Sequence, residues 1–177
     1  MLVKVFLGIG VAVGLFLIYV AIQPSHFEVS REVTINASAE KIFPFVNTRT
    51  VANSWNPFIT KTKDLKLITE GPEVGVGSKT SWVDNKEMGT GTATVVESVP
   101  NERVTVKLEY TKPMTMSQTA AFLLKPAGAQ TTVVWRVEGE KQFVNKLFCV
   151  FMNMDKMVGD VFAEGLGQLK TMVEAAP

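Results

Sequence analysis

The residue types that carry most enzyme chemistry are scarce in this chain. Its one histidine, His26, has no second imidazole to join in a His-rich metal site or a Ser-His-Asp triad. It reads as an exposed residue following an apolar N-terminal segment. The one cysteine, Cys149, sits between Phe148 and Val150 in an apolar helical pattern, with Lys146 the nearest base. It reads as a buried, inert thiol, and a single cysteine makes no internal disulfide. Gly75-Val76-Gly77-Ser78-Lys79-Thr80 invites a phosphate-loop reading, but the GxxxxGK[ST] spacing is absent and a strand follows instead of a helix. Asp160 and Glu164 are four apart on a helical pattern and form a solvated face. Asp155 borders the apolar stripe of that pattern, yet one carboxylate is not an acid/base pair. Only Arg31, Tyr110 and Asp155 are conceivable acid/base groups. No catalytic residue, metal ligand or cofactor is therefore assigned.

What remains is an inventory suited to binding. Trp55 and Phe58 follow the short-helix region, and Trp82, Met88, Tyr110, Met114, Met116 and Trp135 lie in or beside strand patterns. Phe148, Met152 and Phe162 belong to the C-terminal helical pattern. Eight methionines are present, and flexible, polarisable thioethers suit a cavity that adapts to its ligand. Plain core packing is the alternative for each of these residues. Strand parity places Val133, Trp135 and Val137 on one face, opposite Val134 and Arg136. Trp135 is expected inward because an unpaired Arg136 is costly to bury. Arg31 shares a face with Phe27, Val29, Val33 and Ile35. Two readings stay open for it: a solvated strand end, or a polar anchor that orients a ligand among apolar walls.

The elements that must position these residues follow from periodicity. From Val5 to Ile22 every residue is apolar, glycine or tyrosine. A helix over that run rises about 27 Å, near the hydrocarbon thickness. Residues 1–25 are therefore expected to form a membrane anchor, spanning through residues 5–22. Lys4 on the short side implies a single pass with the N-terminus inside and the domain extracytoplasmic. A cleaved signal peptide is the competing reading, disfavoured by the bulky Tyr19 near the would-be cleavage site. Gly10 and Gly14 have the spacing of a helix-pairing face, which offers a weak homodimer. Residues 26–177 form the folded domain. Phe27–Ile35 alternates as a strand, and two short helices follow, the first limited by Pro44 and the second over Val51–Trp55. Six strand patterns separated by turn residues run from Asp64 to Glu140, the clearest being Val104, Val106, Leu108 and Tyr110 against polar neighbours. Phe143–Val173 then has helical spacing throughout. A seven-stranded antiparallel sheet must curl to bury one face, and a long helix laid across it closes the other side. A curved sheet and a straight helix leave a gap that side chains alone fill poorly.

Net charge is +1, from 18 basic and 17 acidic residues. That balance gives no basic face for nucleic acid. The stretches VSREVTINASAEKIFPFV, NSWNPF, GPEVGVGSKTSW, ESVPNERV, TTVVWRVEGE and NMDKMVGDVFAEGLGQLK follow one another over residues 27 to 173. In that order and spacing the chain resembles the SRPBCC superfamily, which groups START lipid-transfer domains, the birch-pollen-allergen fold and polyketide cyclases. It is most similar to the bacterial polyketide cyclase/dehydrase-like branch, many members of which carry an N-terminal membrane segment. The resemblance implies an α+β helix-grip fold, with a curved seven-stranded antiparallel sheet wrapped around a long C-terminal helix. Two short helices lie between strands 1 and 2, and the N-terminal transmembrane helix precedes them. It also implies a ligand cavity but no particular reaction, because the superfold hosts many functions. Three functions compete: a module that binds or transfers a hydrophobic small molecule or lipid, an interaction domain with a filled core, and a cyclase or dehydratase. A filled core favours the second, and inward polar groups around a pocket favour the third.

Overall fold

The computed structural model describes residues 2–140, 146–147, 150 and 153–176, and within the first helix the side chains of Phe6 and of Gly8 onward. Helix α1 (Leu2–Ile22) leads into strand β1 (His26–Ile35), followed by helices α2 (Ala39–Asn47), α3 (Arg49–Trp55) and α4 (Pro57–Thr60). Six strands follow: β2 (Leu67–Glu70), β3 (Lys79–Asn85), β4 (Gly89–Val99), β5 (Arg103–Lys112), β6 (Met116–Ala127) and β7 (Gln130–Glu140). Helix α5 (Met154–Ala175) ends the chain. The seven strands form one antiparallel sheet in the order β1-β7-β6-β5-β4-β3-β2, so the first strand docks on the last. Irregularities in register between Trp82 and Asn85, between Thr90 and Gly91, and between Val95 and Glu97 interrupt the ladders of β3, β4 and β5. Bulges of this kind increase local twist and curl a sheet.

Local chemistry sets the helix boundaries. The Ser38 side chain accepts from the Lys41 amide at the start of α2, and Asn56 accepts from Phe58 ahead of Pro57 in α4. Both arrangements satisfy amides that a helix N-terminus leaves unpaired. Pro44 sits inside α2, which stays short. Helix α4 is an element that periodicity did not predict. The expected helix over Phe143–Val173 also needs correction. The Asn153 side chain accepts from the Lys156 amide and starts α5 at Met154, with Lys146 and Leu147 in a separate helical turn.

The core lies between the concave face of the sheet and the helices. Helix α5 buries Phe162, Leu166, Leu169 and Val173 against Val29, Ile35, Val133 and Trp135 of the sheet, and against Ile42 and Val46 of α2. Gly165 lets this helix approach closely. A Cβ there would lie 2.8 Å from both Pro57 Cδ and Trp135 Cζ3.

The membrane-spanning helix expected from residues 5–22 is not upheld. Among the described residues no helix is long and apolar enough to cross a membrane. The end of α1 is also tied to the folded domain: Val20 is fully buried, and Lys146 Nζ donates to the Ala21 carbonyl at 3.2 Å. The single-pass topology, the extracytoplasmic placement and the membrane as a partner fall with that helix.

Candidate functional site

Antiparallel register lines the concave face with rows of side chains running across the sheet. One row holds Ala93, Leu108, Gln118 and Gly139 on β4 to β7, with Thr80 of β3 and Phe27 of β1 at its ends. The next holds Val95, Val106, Ala120, Val137 and Val29. A third, nearer the opening of the sheet, holds Trp82, Gly91, Tyr110 and Met116. The room over Gly91 is taken by the Trp82 ring, whereas small residues recur in the middle of the first two rows, at Ala93 and Ala120. The sheet recedes there from the helices, and a cavity of about 340 Å³ remains. That volume is within the usual range for small-molecule pockets, roughly 300–1,000 Å³.

The two ends of the cavity differ. One is closed by interlocked aromatics. Trp135 stacks on Phe162 of α5 with centroids 4.2 Å apart and 7° between planes. Trp55 of α3 meets Trp135 and Phe122 edge-on at 5.6 Å, and its Nε1 donates to the Phe45 carbonyl at 2.9 Å. Phe58 of α4 sits edge-on to both Trp135 and Phe162. At the other end Trp82 meets Tyr110 edge-on at 5.7 Å and donates to the Met88 carbonyl, with Met88, Met116 and Met154 alongside. Burial pushes the Tyr110 phenol above its ordinary value, so at neutral pH it is a protonated donor.

Polar lining groups are few. Asn47, Arg49 and Asn53 line the cavity from α2 and α3, Asn56 from the junction of α3 and α4, Ser78 and Thr80 from just before and at the start of β3, and Gln118 from β6. Arg49 is the charged group among the described lining residues. Its guanidinium pairs with Glu73 at 2.6 Å and donates to the carbonyls of Glu70 and Pro72. Glu73 is held below the usual carboxylate range, chiefly by hydrogen bonds from Thr50 and also by Arg49.

The sequence profile of one protein family, polyketide cyclase/dehydrase and lipid transport, matches residues 26–174. The chain belongs to this family. Its fold recurs in solved structures at low identity. The KanY protein is 18% identical, with a TM-score of 0.63 and coverage of 85% of this chain and 99% of that one. Protein CV1439 from Chromobacterium violaceum is 14% identical, with a TM-score of 0.60 and coverage of 84% and 98%. The Aha1 dimer from Colwellia psychrerythraea is 22% identical, with a TM-score of 0.54 and coverage of 84% and 97%. At such identities the likeness is one of fold. No curated protein matches the chain in sequence. The SRPBCC resemblance and the helix-grip sheet thus stand, without the transmembrane helix.

The structure gathers most of the aromatic and methionine inventory around one space in this family member. Trp55, Phe58, Trp82, Met88, Tyr110, Met116, Trp135 and Phe162 all line the cavity. Met114 is exposed in the turn before β6, outside the lining. Phe148 and Met152 lie outside the described residues. Arg31 is on the helix-facing side of β1, opposite Trp135 in register, but it does not line the cavity. Its guanidinium is captured by Asp155 at 2.9 Å and by the Asp155 carbonyl, over the face of Gly159. Arg31 and Asp155 thus clamp the first turn of α5 to β1. Among the polar lining residues, sequence reading missed Asn47, Arg49, Asn53, Asn56, Ser78, Thr80 and Gln118. The available signal was parity with Trp82, which puts Ser78 and Thr80 on the inward face of the same strand.

The clamp carries a pH signature. Asp155 is held below the ordinary carboxyl value, first by the hydrogen bond from Arg31. Its contribution to stability is therefore present above the unfolded carboxyl value of about 3.9 and is lost as pH falls through the lower folded value. In thermal unfolding, Asp155→Asn is expected to melt below the parent protein at pH 7. The gap should close as pH falls toward 2. A gap that persists unchanged in acid would show that the carboxylate charge is not what holds the clamp.

Proposed function

We propose that this polyketide cyclase/dehydrase-family domain binds a hydrophobic small molecule in the cavity between its sheet and helices, to store or transfer it. The observation that carries this reading is the cavity itself: about 340 Å³, walled by tryptophan, phenylalanine, methionine and aliphatic side chains. Apolar contact contributes roughly 25 cal/mol per Å² removed from water, so such walls favour an apolar ligand without a charged anchor. A lipid chain or a fused aromatic ring system fits this description.

An interaction domain would pack its core solid, and this space argues against one. Inward polar groups would favour an enzyme. The described ones are hydroxyls, amides, a phenol raised by burial and a guanidinium already paired with Glu73. Such groups orient and donate; none accepts a proton near neutral pH.

The test is native mass spectrometry of the full chain, with solvent extraction of whatever co-purifies. Binding predicts an apolar molecule of a few hundred daltons at near one-to-one, or saturable uptake from an added panel of fatty acids, sterols and aromatic ketones. A bare chain mass with no uptake from the panel would end this reading in favour of the interaction domain.

A further inference from the structure

One corner of the cavity is rich in hydrogen-bond donors that the protein leaves unused. Ser78 and Thr80 are 4% and 6% exposed, and both line the cavity. Among the described residues neither hydroxyl has a hydrogen-bond partner, although the Ser78 backbone is paired with Gly75 and Val95. Arg49 also borders this corner, but its two terminal nitrogens are engaged and its Nε is fully buried, beyond the reach of a ligand in the cavity.

The two hydroxyls and Arg49 share this corner by construction. Arg49 donates to the carbonyl of Glu70, and Glu70 pairs in register with Lys79, which lies between Ser78 and Thr80. The Arg49 amide bonds Glu73, and the Gly75 amide bonds the Asn47 carbonyl, pinning α2 and α3 over the β2–β3 connection. Buried polar groups are normally satisfied, and two unpaired hydroxyls against one cavity wall point to an acceptor supplied from outside the protein.

We propose that the cavity binds its ligand in one orientation. A neutral oxygen acceptor, such as a ketone, ester or amide carbonyl, sits against the hydroxyls of Ser78 and Thr80, and the apolar body extends toward Met116 and Tyr110. This rests on the binding function proposed above and adds the polarity and direction of the ligand. The acceptor is neutral because Glu73 already balances the Arg49 charge at 2.6 Å, so a buried ligand carboxylate would have no free cation to compensate it. A hydrocarbon of the same shape strips water from the two hydroxyls and gives them nothing in return.

The test uses the full chain and three probes of one shape: 9-fluorenone, fluorene and fluorene-9-carboxylate. Binding is followed by quenching of tryptophan fluorescence and by calorimetry. The parent protein is expected to bind fluorenone about tenfold more tightly than fluorene, the sum of two modest hydrogen bonds. The double variant Ser78→Ala, Thr80→Val should lose most of that preference, with weaker binding of fluorenone and fluorene bound at least as tightly as by the parent, since no hydroxyl is left to desolvate. An unchanged circular dichroism melt shows that the variant is folded. Equal affinity of the parent for ketone and hydrocarbon would overturn the oriented subsite and leave the binding function standing. Tighter binding of the carboxylate would overturn its neutrality. Binding of none of the three, together with a bare chain in the co-purification experiment, would remove the binding function and this subsite with it.

Discussion

Truncation of Trp135 to alanine is expected to lower the unfolding free energy by about 3–5 kcal/mol, the range for large-to-small changes at buried aromatics. Trp135 is 4% exposed and joins four elements. From β7 it stacks on Phe162 of α5, receives the edges of Trp55 from α3 and Phe58 from α4, and lies 5.1 Å from Phe122 on β6. Removing the indole deletes every one of these contacts. The space it leaves merges with the existing cavity, so the surroundings gain little by collapsing. In a domain of this size such a loss lowers the melting temperature by on the order of 10 °C. Trp135→Phe keeps a ring against Phe162 and should cost less than half as much. Urea titrations of both variants, read by circular dichroism, check the pair. A loss below about 1 kcal/mol for the alanine variant would mean that the aromatic cluster is not the joint between sheet and helices.

The position of Trp135 was legible in sequence because a strand has a period of two and Arg136 is costly to bury. The same rule placed Val104, Val106 and Leu108 inward, and short turns between alternating segments gave the antiparallel order. Arg31 shows where the rule stops. Parity put it on the apolar face, as the structure does, but its partner Asp155 lies far along the chain and only packing of α5 on β1 brings the two together. The donor corner was hidden for a similar reason. Serine and threonine in a strand look like its solvated side until register sets Thr80 opposite Ala93 beneath α3. At the N-terminus, hydropathy reports composition alone and cannot see that Val20 is buried. At the other end, apolar spacing runs on through Phe148 and Met152 and masks the Asn153 cap that starts α5.

Enlarging Ala120 to leucine is expected to weaken uptake of 9-fluorenone at least about a hundredfold, or roughly 2.7 kcal/mol. Ala120 is 6% exposed, lines the cavity floor, and stands between Val106 of β5 and Val137 of β7 in one row of the sheet. Both neighbours are β-branched and stiff, so a larger side chain has only the cavity to enter. The space it fills is space the protein already has, and the stability cost should stay within about 1–3 kcal/mol or vanish. Thr119→Leu is the control: it is on the same strand with the opposite parity, paired with Lys107 and Glu138. That substitution should leave uptake unchanged. Calorimetric titration of both variants separates the cases. If Ala120→Leu binds as tightly as the parent, the ligand is held elsewhere and the small residues on the sheet serve packing alone. If it fails to bind and Thr119→Leu does not, the small residues at Ala93 and Ala120 acquire a reason: they set the volume that the aromatic end closes and the donor corner orients.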